Sequence, residues 1–258
     1  MNQNTFIPAI RSNIIETTSI TSLLDHIDHH ETLVIFDIDN TILELPDGKG
    51  SPQWVMALIK HGQSLGLDYT QAYNIIKPVI HDIFMTTVVK PVEPETALII
   101  AQLQQQNIHV IGLTARSTPT VNDTIKHLDS IAISLKSTGL SLKSPLEIAH
   151  LPFPNEIQYQ EGILFCGFNP KGSMLQTLLK STAYTPEKII FVDDQIKDLA
   201  SVEKTAAEMK IPFIGFHYTH LAEKVHNFVL DEETKHMIFQ SPDSKLPDSI
   251  TITPPNSL

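Results

Sequence analysis

The stretch Leu33-Val34-Ile35-Phe36-Asp37-Ile38-Asp39-Asn40-Thr41 decides how this chain is read. Four consecutive apolar residues stop abruptly at an aspartate. An unbroken apolar run of that length suits a strand whose sheet is covered on both faces, as in a parallel sheet. Similar runs recur at Ile108 to Leu113, Lys188 to Val192 and Ile211 to Phe216. Helical patterns lie beside them: Pro94 opens a segment carrying Ala97, Leu98, Ala101 and Leu103, and Ser173 to Leu179 and Leu199 to Met209 carry others. Strands alternating with helices predict an α/β fold with a doubly wound, mainly parallel sheet. In such sheets ligands sit at the carboxyl ends of the strands, where Asp37 and Asp39 fall.

Outward from that first strand, Pro46-Asp47-Gly48 marks a turn, and residues 46–89 break the strand–helix alternation. The block reads as a small helical cap. Ser51 can cap a helix with Pro52 at its first position and Val55, Leu58, Ile59 and Leu65 along one stripe, ending near Gly66. A second helix is predicted over Thr70 to Phe84, with Pro78 expected to kink or shift it. The core domain then comprises residues 31–45 and 90–235, preceded by an N-terminal extension (1–30) and followed by a flexible tail (243–258) containing Pro254-Pro255. Residues Ser137 to Glu161 mix strand-like and turn-like pieces and are read as a β-hairpin excursion.

Bulk composition narrows the function. At 258 residues and 41% hydrophobic, the chain can bury one full α/β core with a modest insertion. A net charge of −11, with no basic run, argues against nucleic acid as a partner, whose phosphates are met by clustered Lys and Arg. The single cysteine, Cys166, excludes an intramolecular disulfide framework and every Cys-based zinc spacing. Met1 to Ile20 lacks the charged start and apolar stretch of a cleavable signal peptide. No segment reaches the roughly 18 apolar residues of a membrane span, so no membrane insertion is expected. The protein is therefore expected in the cytoplasm, or exported without a cleavable N-terminal signal.

The chemistry-bearing residues gather at strand ends. Asp37 and Asp39 follow the first strand, where charge needs a cation or solvent to offset burial. A calcium loop fails here, because its sixth and twelfth positions would be Ile42 and Gly48 instead of Gly and Glu. A solvated loop is the bland alternative for any lone Asp-X-Asp. A second strand ends in Gly112-Leu113-Thr114-Ala115-Arg116, placing a hydroxyl and backbone N–H groups at the same edge; alone this is a weak signal, since Thr also caps helices. Lys171 opens the helix after Asn169-Pro170, which opposes the helix macrodipole unless an anion stands close. A solvated surface lysine is the ordinary alternative. Finally Val192 runs into Asp193-Asp194, with Asp198 four residues on. Such crowded carboxylates raise one another's pKa unless a cation compensates, and Mg²⁺ fits an all-oxygen site.

The order Asp37-X-Asp39-X-Thr41, Thr114, Lys171, Asp193-Asp194-X-X-X-Asp198 resembles the four motifs of the haloacid dehalogenase superfamily, over about Leu33 to Phe216. Around Leu33 to Leu43 and Pro91 to Arg116 the wording is similar to a bacterial branch near its acid phosphatases. The resemblance implies a Mg²⁺-dependent phosphohydrolase acting on a phosphomonoester. It makes Asp37 the nucleophile that forms an aspartyl-phosphate. Asp39 becomes the general acid and then base, with its backbone carbonyl on the metal. Thr114 and Lys171, helped by Ala115 and Asn40, hold the phosphoryl oxygens. Asp194 and Asp198 match the acidic final motif, Asp193 standing where a glycine is common; Asp193 and Asp194 are both expected near the metal, with Asp198 and Thr41 behind it. Arg116 is read either as a substrate contact or as a surface salt bridge.

Blander readings fall on His29 and His30 as solvated, Trp54 as cap packing, and His217 and His220 as neighbours of the last strand. A small phosphorylated substrate or a phosphoprotein is the expected partner, chosen by the cap and by residues 137–161. Phosphotransfer to a second hydroxyl and a catalytically silent binding module are the alternatives. A receiver-like signalling domain is excluded by motif order, since receivers place their acidic pair first and lysine last.

Overall fold

The computed structural model describes residues 13–27, 31–148 and 150–239. Among the described residues nine strands run as β1 (Ile14–Thr17), β2 (Thr32–Phe36), β3 (Leu43–Glu44), β4 (Lys90–Pro91), β5 (His109–Thr114), β6 (Gln158–Gln160), β7 (Ile163–Phe165), β8 (Lys188–Asp193) and β9 (Phe213–Tyr218). The helices are α1 (Pro52–Ser64), α2 (Tyr69–Thr86), α3 (Thr96–Gln105), α4 (Val121–Ser130), α5 (Lys171–Thr182), α6 (Ile196–Met209), α7 (Ala222–His226) and α8 (Glu232–Phe239). Seven strands form one sheet in the order β1-β9-β8-β2-β5-β7-β6, parallel at every pairing except β6 with β7. The α/β, doubly wound architecture expected from the apolar runs is what the chain adopts.

Strand alternation explains why those runs are apolar throughout. In β2, Leu33 and Ile35 join Ile111, Leu113, Ile189 and Phe191 in a core with α5 and α6, while Val34 and Phe36 join Val110, Ile190 and Val192 in the opposite core. The second core takes in α3, α4 and the inserted helices. Every residue of β2, β8 and all but the first of β5 are buried. Among the described residues no helix is long and apolar enough to cross a membrane.

The insertion is set on a short antiparallel stem, Leu43 opposite Pro91 and Glu44 opposite Lys90. α1 starts at Pro52 with the Ser51 hydroxyl accepting from the Trp54 amide, as the Ser-Pro pair predicts. α2 is longer than expected and runs unbroken through Pro78, because a capping box of Asp68 with Gln71 secures its start and Ala72, Ile76, Ile80 and Phe84 bury one face. Tertiary burial outweighs the one backbone hydrogen bond that Pro78 removes.

Two expectations change. The N-terminal extension belongs in part to the core: β1 pairs with β9, and Ile20 and Leu23 of the following 3-10 turn are buried. Glu93 holds this segment by accepting from the Ile20 amide and the Tyr218 hydroxyl. Residues 137–161 are mostly irregular, and the hairpin lies at their end, where β6 turns back through Glu161 and Gly162 into β7. Both turn residues have positive φ, 51° and 79°, the geometry a two-residue hairpin requires. The tail from 243 and His29 and His30 lie outside the described residues.

α5 lies close against α6 at Gly172, where a Cβ would stand 2.2 Å from the Ser201 carbonyl oxygen. Gly172→Ala should therefore force the helices apart and lower stability by about 1–3 kcal/mol, read as an earlier denaturant midpoint. An unchanged midpoint would show that this packing yields freely.

Candidate active site

Asp37, Asp39 and Asn40 follow β2, Thr114 to Arg116 end β5, and Asp193 and Asp194 end β8, so three neighbouring strands deliver their last residues to one edge. The Asp37 amide donates to the Val192 carbonyl at 2.9 Å, which extends the β2–β8 ladder one residue into the site. Lys171, the first residue of α5, sits beneath them. Its Nζ donates to Asp37 Oδ1 at 2.6 Å and Asp193 Oδ2 at 2.7 Å, and lies 3.8 Å from Asp198 Oδ2. A lysine at a helix N-terminus thus meets the anions its position demands.

The paired aspartates of β8 divide their work. Asp193 is fully buried; one oxygen takes Lys171 and the other accepts the Gln195 amide at 2.7 Å, so it also secures the start of α6. Asp194 faces a cavity of about 840 Å³ and accepts from Gln195 Nε2 and from Asn40 Nδ2, at 2.8 and 3.2 Å. Asn40, at φ 60°, also donates to Gln53 of the inserted α1, which links the strand edge to the cap. Asp37, Asp193 and Asp194 can each bring one oxygen within 4.8 Å of the others. Thr114 lines the cavity with its hydroxyl accepting the Arg116 amide, and Ala115 lies exposed on the same wall. Thr41 is buried with no hydrogen-bond partner for its hydroxyl.

Arg116 is not a surface salt bridge, and it lines the cavity. Its side chain is buried and grips Asp39 with two parallel bonds, Nε to Oδ2 and Nη2 to Oδ1, both 2.8 Å. The remaining nitrogen donates to Thr124 at 2.9 Å, and the guanidinium lies over the Phe84 ring at 4.2 Å. His127 sits beside it and bonds the Phe84 carbonyl through Nε2. Trp54 is packed in the cap core, as expected. His217 pairs opposite Asp193 across the sheet, and His220 bonds the Thr18 carbonyl. His217 shares a small side cavity with Asp194, while His220 is turned away. Sequence reasoning passed over Gln53, Gln195 and His127, which carry no motif; only Gln195, adjacent to the acidic pair, stood where a reader would look.

Burial dominates the electrostatics. It pushes Asp37 up to about 8, with Asp193 and Asp39 adding repulsion that Lys171 only partly offsets. Asp193 and Asp194 are likewise pushed up to about 7, burial first. Against the pull of burial, Asp193, Asp37 and Asp198 hold Lys171 well above the usual ammonium value.

The chain matches the family described as "Protein of unknown function (DUF2608)" over residues 16–247, and it belongs to that family. It is similar to a protein of Chlamydia trachomatis serovar D named "Putative outer membrane protein", 26% identical over 193 residues, which are 75% of this chain and 70% of the relative. Proteins of the same description from Chlamydia pneumoniae and Chlamydia muridarum are also 26% identical, over 77% and 80% of this chain and 72% and 77% of their own lengths.

Acids with raised folded pKa bind protons more tightly folded than unfolded, so their support is complete below the unfolded value, 3.8, and is lost as pH rises through 7 to 8. His61 and His127, held low by burial, act oppositely but only below their ordinary 6.5. In chelator the melting temperature should therefore fall between pH 6.5 and 8, and Asp37→Asn should flatten that slope. A rising or level curve over this interval contradicts the assignment.

Proposed function

We propose that the protein is a Mg²⁺-dependent phosphohydrolase of the haloacid dehalogenase type, cleaving phosphomonoesters through an aspartyl-phosphate on Asp37. The observation that carries this reading is a buried cation, Lys171, bridging Asp37 and Asp193 beside a cavity that Asp37, Lys171 and Asp194 line together. A nucleophilic carboxylate needs a neighbouring positive charge to receive the phosphoryl oxygens, and Lys171 stands in contact with it.

The donor set suits a hard divalent ion, since the three clustered carboxylates offer oxygen alone. Asp37, Asp194 and the Asp39 backbone carbonyl would hold Mg²⁺, which would offset their charge and polarise a phosphoryl oxygen. Asp193, with both oxygens occupied, serves Lys171 and α6 instead. Asp37 then attacks phosphorus and the leaving oxygen takes a proton from Asp39. Water, deprotonated by Asp39, hydrolyses the acyl-phosphate. Proton transfer by Asp39 requires that one of its two oxygens leave Arg116. Thr114 and Ala115 line the phosphoryl side.

Chelation by EDTA should abolish phosphatase activity and added Mg²⁺ restore it. Asp37→Asn should remove both hydrolysis and covalent phosphorylation. Asp39→Asn keeps its backbone carbonyl and loses proton transfer, slowing turnover by about 10²–10⁴-fold. Acid quench with mass spectrometry should find the phosphoryl group on the Asp37 peptide. Normal turnover by Asp37→Asn, or a phosphoryl group on another residue, overturns the mechanism.

Of the two locations the sequence leaves open, the names of the chlamydial relatives favour export for this chain. Fractionation of the producing cell should recover the protein outside the cytosol. Recovery of the whole pool in the cytosol rejects export.

A further inference from the structure

Above its charged floor the cavity changes character. Asp37, Lys171 and Asp194 line one part; Tyr69 and Tyr73 of the cap and Phe168 of the core line another. Tyr69 and Tyr73 are four residues apart on α2 and share a face. Both rings stand nearly perpendicular to that of Phe168, with centroids 5.4 and 4.2 Å away and interplanar angles of 82° and 81°. Phe153 adds a third ring, 5.5 Å from Phe168. Edge-to-face pairs leave ring faces free to meet a further aromatic group.

Cap packing alone would bury these rings, as Phe36 and Phe165 are buried at 0% exposure. Tyr69 and Phe153 instead remain 38% exposed, and Phe168 and Tyr73 are half-buried. The rings are also held in place. Asn169, next to Phe168, bonds both the Phe153 amide and carbonyl and the Cys166 carbonyl. Phe168 therefore lies on a fixed loop three residues before Lys171, which couples the position of the aromatic wall to that of the phosphoryl-holding lysine. A phosphoryl group fills only a small part of about 840 Å³, and the rest must take the leaving group.

We propose that the cavity selects phosphomonoesters whose leaving group carries a flat aromatic ring, seated against Tyr69, Tyr73 and Phe168 while the phosphoryl group meets Asp37 and Lys171. This rests on the phosphohydrolase reading above. A puckered ring of equal bulk gains burial but not ring-to-ring contact, so the selection is for planarity.

Two matched pairs test it with the full chain and Mg²⁺: benzyl against cyclohexylmethyl phosphate, and a purine nucleoside 5′-monophosphate against ribose 5-phosphate. Within each pair the departing oxygen is a primary alcohol. The aromatic member should be favoured about threefold to tenfold in kcat/KM. Preference in the first pair alone assigns a simple aryl group, and preference in the second a base. Tyr69→Leu, at an exposed site, and Phe168→Leu should bring the ratio to about one, whereas Phe168→Tyr should keep it. A ratio near one in the unsubstituted protein, or one that survives both leucine substitutions, overturns the proposal. If no ester is cleaved, the phosphohydrolase reading fails. The aromatic wall is then judged separately by calorimetric binding of benzylphosphonate against cyclohexylmethylphosphonate, where equal affinities or no binding reject it.

Discussion

The contact between Lys171 and the carboxylates of Asp37 and Asp193 organises the carboxyl edge of the sheet. Each carboxylate stands at the end of a buried strand, so little solvent reaches either to stabilise its charge. Buried charge persists only where it is paired and hydrogen-bonded. One ammonium group, delivered from the first turn of α5, meets that demand for two strands at once. The Gln195 amide then takes the second oxygen of Asp193, and α6 starts in register with the same cluster. Close packing of α5 on α6 at Gly172, the residue after Lys171, holds the lysine's backbone where its side chain can reach.

A second buried pair governs the cap. Arg116 binds Asp39 with both ends of its fork and lies over Phe84 near the end of α2, so the inserted helix and the second strand-end aspartate share one guanidinium. Asn40 adds a bond to Gln53 of α1, and Lys77 pairs with Glu156 at 2.5 Å across to the segment that flanks the cavity. Polar ties at several points therefore join cap to core. Desolvated bidentate pairs of this kind fix geometry more than they add net stability.

The fold was legible because covered parallel strands demand unbroken apolar runs, and Leu33–Phe36, Ile189–Val192 and Val110–Leu113 have them. Caps such as Ser51-Pro52 are local and read directly. Short pieces were not legible: β7, of three residues, and β1, of four, draw their order from neighbouring strands that no local pattern reveals. Pro78 lies inside α2, whose buried face rests on contacts that only its neighbours supply.

By itself the sequence determined which side chains reach the sheet edge, because a strand's register sets which residue follows its last buried position. Asp37, Asp39, Thr114, Asp193 and Asp194 all stand there. Only the tertiary structure decided how they pair: that Lys171 takes Asp37 and Asp193, that Arg116 clamps Asp39, and that Asp194 is left to face the cavity. Chain order carries no information on which of several carboxylates a cation will meet 22 or 134 residues away. That choice follows from distances of a few ångströms in a poorly solvated interior, where electrostatic attraction falls steeply with separation and each buried charge must find a partner.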